Sequence, residues 1–242
     1  MGDRSISLRL AGAIVAIGLG VSGAPAMAEV MDNQINMMFK VDQLEYRFGE
    51  HEEFIVWDAQ GWIGTDYNKV ALKTEGEKVV GGATESVEGQ ILYQRLISKF
   101  FDAQVGIRHD FRPGPTRTYG VFGVQGLAPQ WFEVDANAFV SERGDISFRL
   151  EVEYDLLLTQ RLILQPVIEV EAALSQDEAI GQGDGLRSLE MGLRLRYEVT
   201  REFAPYIGVN WEKSFGDSAD FKREEGEGTA SSSVVLGVTF WF

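Results

Sequence analysis

The 242-residue chain carries 37 acidic against 22 basic residues, a formal net charge of −15, and no cysteine. Such an acidic balance excludes a nucleic-acid-binding surface and a basic patch for anionic lipid, and it favours cations as partners. The absence of thiols excludes both a disulfide framework and a thiolate metal site, so stability has to come from backbone pairing.

Taken in order, residues 1–28 read as a signal peptide. Arg4 and Arg9 precede the apolar run from Leu10 to Val21, and Ala26-Met27-Ala28 has the small-x-small form of a cleavage site. Residues 29–37 form a short periplasmic lead-in, and residues 38–242 are expected to be one barrel. Its first strands cover about 38–48, 53–64, 69–76 and 85–96, with a Gly-rich loop expected between Gly76 and Thr84. Strand five covers about 100–112 and ends at Pro113-Gly114-Pro115, a rigid break; Ala128-Pro129-Gln130 turns strand six into strand seven.

The clearest signal lies between Asp145 and Leu174. Ile146, Phe148, Leu150, Val152 and Tyr154 alternate with Ser147, Arg149, Glu151, Glu153 and Asp155. After Thr159-Gln160-Arg161 the same period resumes, with Leu162, Leu164, Ile168 and Val170 opposed to Gln165, Glu169 and Glu171. Period two marks β-strands with one apolar and one polar face, and the tight turn makes the two a hairpin. Residues 175–187 and 216–231 read as polar, Gly-rich loops, and the last strand ends on Val238, Phe240 and Phe242.

Strands of about a dozen residues exceed the ~5–6 usual in soluble proteins and match the ~9–11 that a tilted strand needs to cross a bilayer. Charged residues on the inner phase would not be accepted unpaired in a dry sandwich core. The expected fold is therefore an all-β, antiparallel transmembrane β-barrel of twelve strands, or ten on a stricter count. Short turns after even strands and longer loops after odd ones put both termini on the periplasmic side of a bacterial outer membrane.

The inward phase carries more carboxylates, among them Glu45, Asp58, Glu75, Glu151 and Glu190, than basic groups such as Arg47, Arg108, Arg149 and Arg194. A low-dielectric tube lined by one sign of charge concentrates counter-ions of the other. The alternative is that these groups pair across strands and hold a narrow lumen shut. Candidate metal ligands are few. Met37 and Met38 could hold Cu(I) as soft thioethers. His109, outward by parity, could join Asp110 through a bulge; Met191 is expected to face lipid. A phospholipase-like Ser/His site on the outer wall finds no nucleophile context, so the expectation is a non-enzymatic protein without a catalytic cofactor.

Several stretches resemble the bacterial copper resistance protein B family: WDAQGWIGTDYNKVALKTEGE at 57–77, FFDAQVGIRHDFRPGP at 100–115, VQGLAPQWFEVDANAFV at 124–140, EYDLLLTQRLILQP at 153–166, and LRLRYEVTREFAPYIGVNWEKSFG at 193–216. The resemblance implies an outer-membrane barrel in copper tolerance, with copper as bound or transported ion. It also implies periplasmic copper proteins, including a multicopper oxidase, as partners. Family members commonly carry a Met- and His-rich segment before the barrel, whereas the lead-in here is EVMDNQINMM, with three methionines and no histidine.

Overall fold

The computed structural model describes residues 34–49, 52–224 and 226–242; the expected signal peptide, most of the expected lead-in and His51 lie outside them. Thirteen strand segments follow one another: β1 (Asn36–Gly49), β2 (Glu53–Gly64), β3 (Asn68–Val79), β4 (Thr84–Leu96), β5 (Phe101–Arg112), β6 (Arg117–Ala128), β7 (Phe132–Ser141), β8 (Ile146–Tyr154), β9 (Leu156–Leu157), β10 (Leu162–Ala173), β11 (Gly185–Tyr197), β12 (Phe203–Ser214) and β13 (Ala230–Trp241). β8 and β9 both pair with β10 and are one stave interrupted at Asp155, which makes twelve staves. Each stave is antiparallel to its sequence neighbours, and β1 pairs with β13, so the sheet closes and has no free edge.

Alternation sorts the side chains as period two requires. Leu72, Ile91, Ile107, Phe122, Leu150, Ile207 and Leu236 stand exposed on the outside, an apolar belt, and Met191 is among them. Aromatic pairs mark the rim at the short-turn end, with Phe39 against Phe242 at 5.3 Å and Phe132 against Tyr154 at 4.9 Å. On the same outer face Trp57 lies across Gly76, where a Cβ would come within 2.1 Å of the indole ring, so the glycine is the seat of the tryptophan.

Four features depart from the sequence expectation. β1 begins at Asn36 and contains a bulge: Val41 pairs with Ala59 and Gln43 with Asp58, leaving Asp42 as the extra residue. The bulge reverses the phase, so that Lys40 and Asp42 line the interior while Phe39 stays exposed. β3 runs on to Val79, which shortens the expected 76–84 loop to a tight turn. The 216–231 loop contains a helix, α1 (Gly216–Glu224), whose Ser218 and Ala219 are buried and whose Ser218 hydroxyl accepts from the Gly183 N–H at 2.8 Å. Finally, the interior is not wholly polar. Ala71, Leu92, Tyr119, Val121 and Phe139 form an apolar cluster, with Trp62 packed beside it.

Candidate functional site

The bore is the candidate site, and the strand register organises its charges. Because the turns fix which residues lie directly opposite each other, two rows of carboxylates run from stave to stave. In one, Asp58 of β2 faces Glu75 of β3, Glu75 faces Glu88 of β4, and Glu88 faces Asp110 of β5. In the other, Asp135 of β7 faces Glu151 of β8, which faces Glu169 of β10, then Glu190 of β11, then Glu212 of β12. Like charges in directly opposed positions destabilise a sheet, so nine acids in two unbroken rows are not what sheet stability alone would select.

Most of these acids are neutralised by a basic side chain reaching across the bore. Arg149 of β8 contacts Glu75 at 2.8 Å, Glu88 at 3.1 Å and Glu171 at 3.0 Å, and lies 3.7 Å from Glu169. Arg108 of β5 contacts Glu88 at 2.7 Å and Asp110 at 2.6 Å. Both guanidinium groups sit against the Phe139 ring, at 4.7 Å for Arg108 and 5.8 Å for Arg149, so charge and apolar packing together form a crossbar. A second knot centres on Glu45, only 2% exposed, which accepts from Arg194 at 2.5 Å, Arg47 at 2.9 Å and the Tyr206 hydroxyl at 3.0 Å. Tyr206 lies over Gly237, where a Cβ would sit 2.5 Å from its ring.

Towards the short turns the interior opens into a vestibule of about 480 Å³. There Lys69 pairs with Asp102 at 2.8 Å, Lys73 with Asp135 at 2.6 Å, and Lys40 with Asp42. Above it is a smaller cavity of about 180 Å³, bounded by Glu169, Glu190, Arg194 and Asn210 among others. Asp58, Glu75 and Glu151 line both spaces and so form the neck between them. Beyond the crossbar, three loops are tied together by Asp177, which is contacted by Arg117 at 2.8 Å and Arg143 at 3.1 Å. The Arg117 hydrogen bond, then its charge and that of Arg143, hold the Asp177 carboxyl below the ordinary carboxylate range.

The four candidate metal ligands are not brought together. Met37 is exposed on the outer side opposite Ile63, and Met38 is half-buried on the other face of the strand opposite Trp62. His109 sits outside, its Nδ1 2.9 Å from the Thr118 hydroxyl and its ring edge-on to Phe111 at 4.7 Å, while Asp110 is buried inside against Arg108. No bulge turns His109 inward: β5 and β6 stay in continuous register there. Among the described residues no group of three or more carboxylates or imidazoles is placed to hold a metal ion directly. What inspection of single strands could not reveal is the carboxylate rows, because an opposed pair exists only once two strands are registered.

A closed twelve-stave antiparallel barrel with an apolar outside and a charged interior is a porin-like barrel of the outer-membrane type. Its fold is similar to that of the NanC porin, with a TM-score of 0.54 and 12% identity over 85% of this chain and 99% of that one. It is also similar in fold to the outer membrane phospholipase A from Escherichia coli, with a TM-score of 0.50 and 10% identity over 85% and 92%. The sequence is more specific. The model of the copper resistance protein B precursor family matches residues 35–242. A copper resistance protein B homolog of Pseudomonas syringae pv. tomato is 43% identical over 88% of this chain and 72% of its own length. Copper resistance protein B of Escherichia coli shows the same 43% identity and the same shares of both chains. The chain belongs to the copper resistance protein B family.

Proposed function

We propose that this protein is a non-enzymatic barrel of the bacterial outer membrane that passes copper ions across it, its short turns and both termini periplasmic. The observation that carries this reading is the pair of carboxylate rows, which lead from the vestibule past the neck towards the long-loop end. Family membership supplies the copper context. The apolar belt and aromatic rim suit contact with outer-membrane lipid. Periplasmic copper proteins such as a multicopper oxidase are the partners that would exchange copper with the vestibule.

The acidic interior alone also fits a general cation-selective barrel, and one experiment separates the two. A deletion strain is compared with its complemented parent for sensitivity to copper, zinc and manganese. Copper-selective sensitivity, restored by the intact gene, is the expected result. Equal changes for all three metals, or none, would remove the copper reading.

A further inference from the structure

A groove of about 610 Å³ crosses the outer wall over β11, β12, β13 and β1. Register explains its position. Met191, Trp211 and Ser232 stand directly opposite one another on β11, β12 and β13, while β1 ends at Gly49, opposite Ser233. The small Ser232 therefore lies between the Trp211 side chain and the end of β1, and its missing bulk forms a notch. Phe48, Leu193, Val209 and Val234, all exposed, wall the groove with apolar surface. A charged group follows at its end. Lys213, the next outward residue of β12 after Trp211, is exposed and lies one residue from the end of the stave, beside the connection that carries α1. Its Nζ stands 5.3 Å from the centre of the Phe215 ring, and it has no ion-pair partner among the described residues. Glu53, on the outward face opposite Phe48, accepts from the Tyr46 hydroxyl and is three staves from Lys213. An apolar slot with an uncompensated ammonium at one end is the complement of an anionic lipid.

We propose that this groove binds one lipopolysaccharide molecule, with an acyl chain of its lipid A in the notch over Ser232 and a phosphate against Lys213. The assignment rests on the reading that the long loops face the cell exterior, because lipopolysaccharide forms the outer leaflet there and Lys213 lies at the long-loop end. Charge selects among lipids. A zwitterionic headgroup would bring its own ammonium towards Lys213, whereas the phosphates of lipid A carry no such group. The lysine also has the right build, since its aliphatic stem can lie along the apolar wall while its ammonium stays at headgroup level. One stretch of β12, from Val209 to Lys213, thus meets both parts of the lipid. The groove spans the seam where β13 closes on β1, so a lipid seated in it covers the place where the two ends of the wall meet.

Native mass spectrometry of the folded barrel in detergent, titrated with purified lipid A, tests the site. The expected result is one lipid A retained per barrel, with binding weakened about fivefold by Lys213→Gln. Ser232→Leu, which fills the notch with apolar bulk, should weaken it as well. Lys78→Gln removes the same charge from another exposed outward position, opposite Ile55, and should bind like the parent. Lipid A stripped of its phosphates should bind the parent and Lys213→Gln equally, an arm that needs no change in the wall. These substitutions touch none of the ion pairs of the bore, and a thermal melt of each variant confirms that any loss is not misfolding. Unchanged binding in Lys213→Gln and Ser232→Leu, an equal loss in Lys78→Gln, or no lipid A retained by the folded parent would overturn the site. Phosphatidylglycerol that displaces lipid A at equal concentration would show that lipopolysaccharide is the wrong occupant. Lipid A binding without copper-selective sensitivity in cells would keep the groove and remove the copper reading, and the reverse pair of results would remove the groove alone.

Discussion

The two ends of the bore solve the same electrostatic problem in opposite ways. At the crossbar, buried carboxylates are each given a guanidinium: Glu88, 7% exposed, takes both Arg108 and Arg149. At the neck, Asp58 and Glu151 belong to the same rows but receive no partner, and cavities lie on both sides of them. Burial explains the difference. Taking an ion out of water costs several kcal/mol, so a dry carboxylate must be paired, whereas one facing a wet cavity retains its hydration. Only the hydrated section of the rows is therefore free to attract an external cation, while the dry section is occupied by the protein's own.

The comparison breaks most severely at Arg149. Arg149→Met keeps much of the side-chain volume but leaves Glu75 without its ion-pair partner and takes one of two from Glu88, which keeps Arg108, and from Glu171, which keeps Arg187. Breaking a buried pair by removing one member costs about 3–5 kcal/mol, and the expected loss here is about 3 kcal/mol because Glu75 is partly hydrated. Urea unfolding of the barrel in lipid vesicles measures it. The same variant should raise single-channel conductance in a planar bilayer, because the crossbar loses the cation that occupies its centre. A Glu75→Gln change added to Arg149→Met should recover part of the lost stability, since it removes the charge left without a partner. A variant as stable as the parent would show that the crossbar is hydrated and that the contrast between the two ends is wrong.

A smaller effect tests the Glu45 knot. Tyr206→Phe removes one of three donors to a carboxylate that is 2% exposed, while Arg194 and Arg47 remain. A hydrogen bond to a charged group contributes about 1.5–3 kcal/mol, and with two guanidinium donors left the expected cost is about 1.5 kcal/mol by the same urea series. Conductance should not change, since Arg47 and Arg194, which line the small cavity, keep Glu45 as their partner. In contrast with this loss, Asp58→Asn at the neck should be neutral or stabilising. If both substitutions cost the same, pairing and hydration are not what distinguishes the two regions.

The strands were legible in the sequence because a barrel wall between lipid and a charged bore enforces period two; β10 (Leu162–Ala173) follows its alternation almost residue for residue. Where alternation misled, another force had taken over. The Asp42 bulge shifts the phase of β1 by one residue, which no single-strand pattern can signal, and it brings Lys40 inward to pair with Asp42. Leu92, Val121 and Phe139 occupy inward positions where polar residues were expected, because part of so narrow a barrel is filled by packing. The acids themselves were all visible on the inward phase. Their arrangement into rows was not, since it depends on the register of seven strand pairs rather than on any one segment. The separation of His109 from Asp110 followed from parity alone, and the continuous register of β5 and β6 keeps it so.

The smallest expected effect is confined to the long-loop end, where Asp177 joins its own loop after β10 to the first residue of β6, Arg117, and to the loop after β7 through Arg143. Its carboxyl titrates below the ordinary carboxylate range because the Arg117 hydrogen bond favours the charged form. A carboxyl depressed in this way stabilises its surroundings fully above the unfolded value of about 3.9, and the contribution is lost as pH falls through the lower folded value. Hydrogen exchange of residues 175–184, corrected for the intrinsic rate, should therefore show protection that is level from about pH 7 to about pH 5 and declines as pH drops below about 3.9. Asp177→Asn should show low protection throughout, because the neutral amide cannot hold two guanidinium groups. The strands should keep their protection in both proteins, since the closed backbone ladder does not depend on this clasp. Loss of strand protection along with the loops would mean that the cap and the barrel unfold as one unit, and that the ion pairs at this end support the wall as well as closing the loops over it.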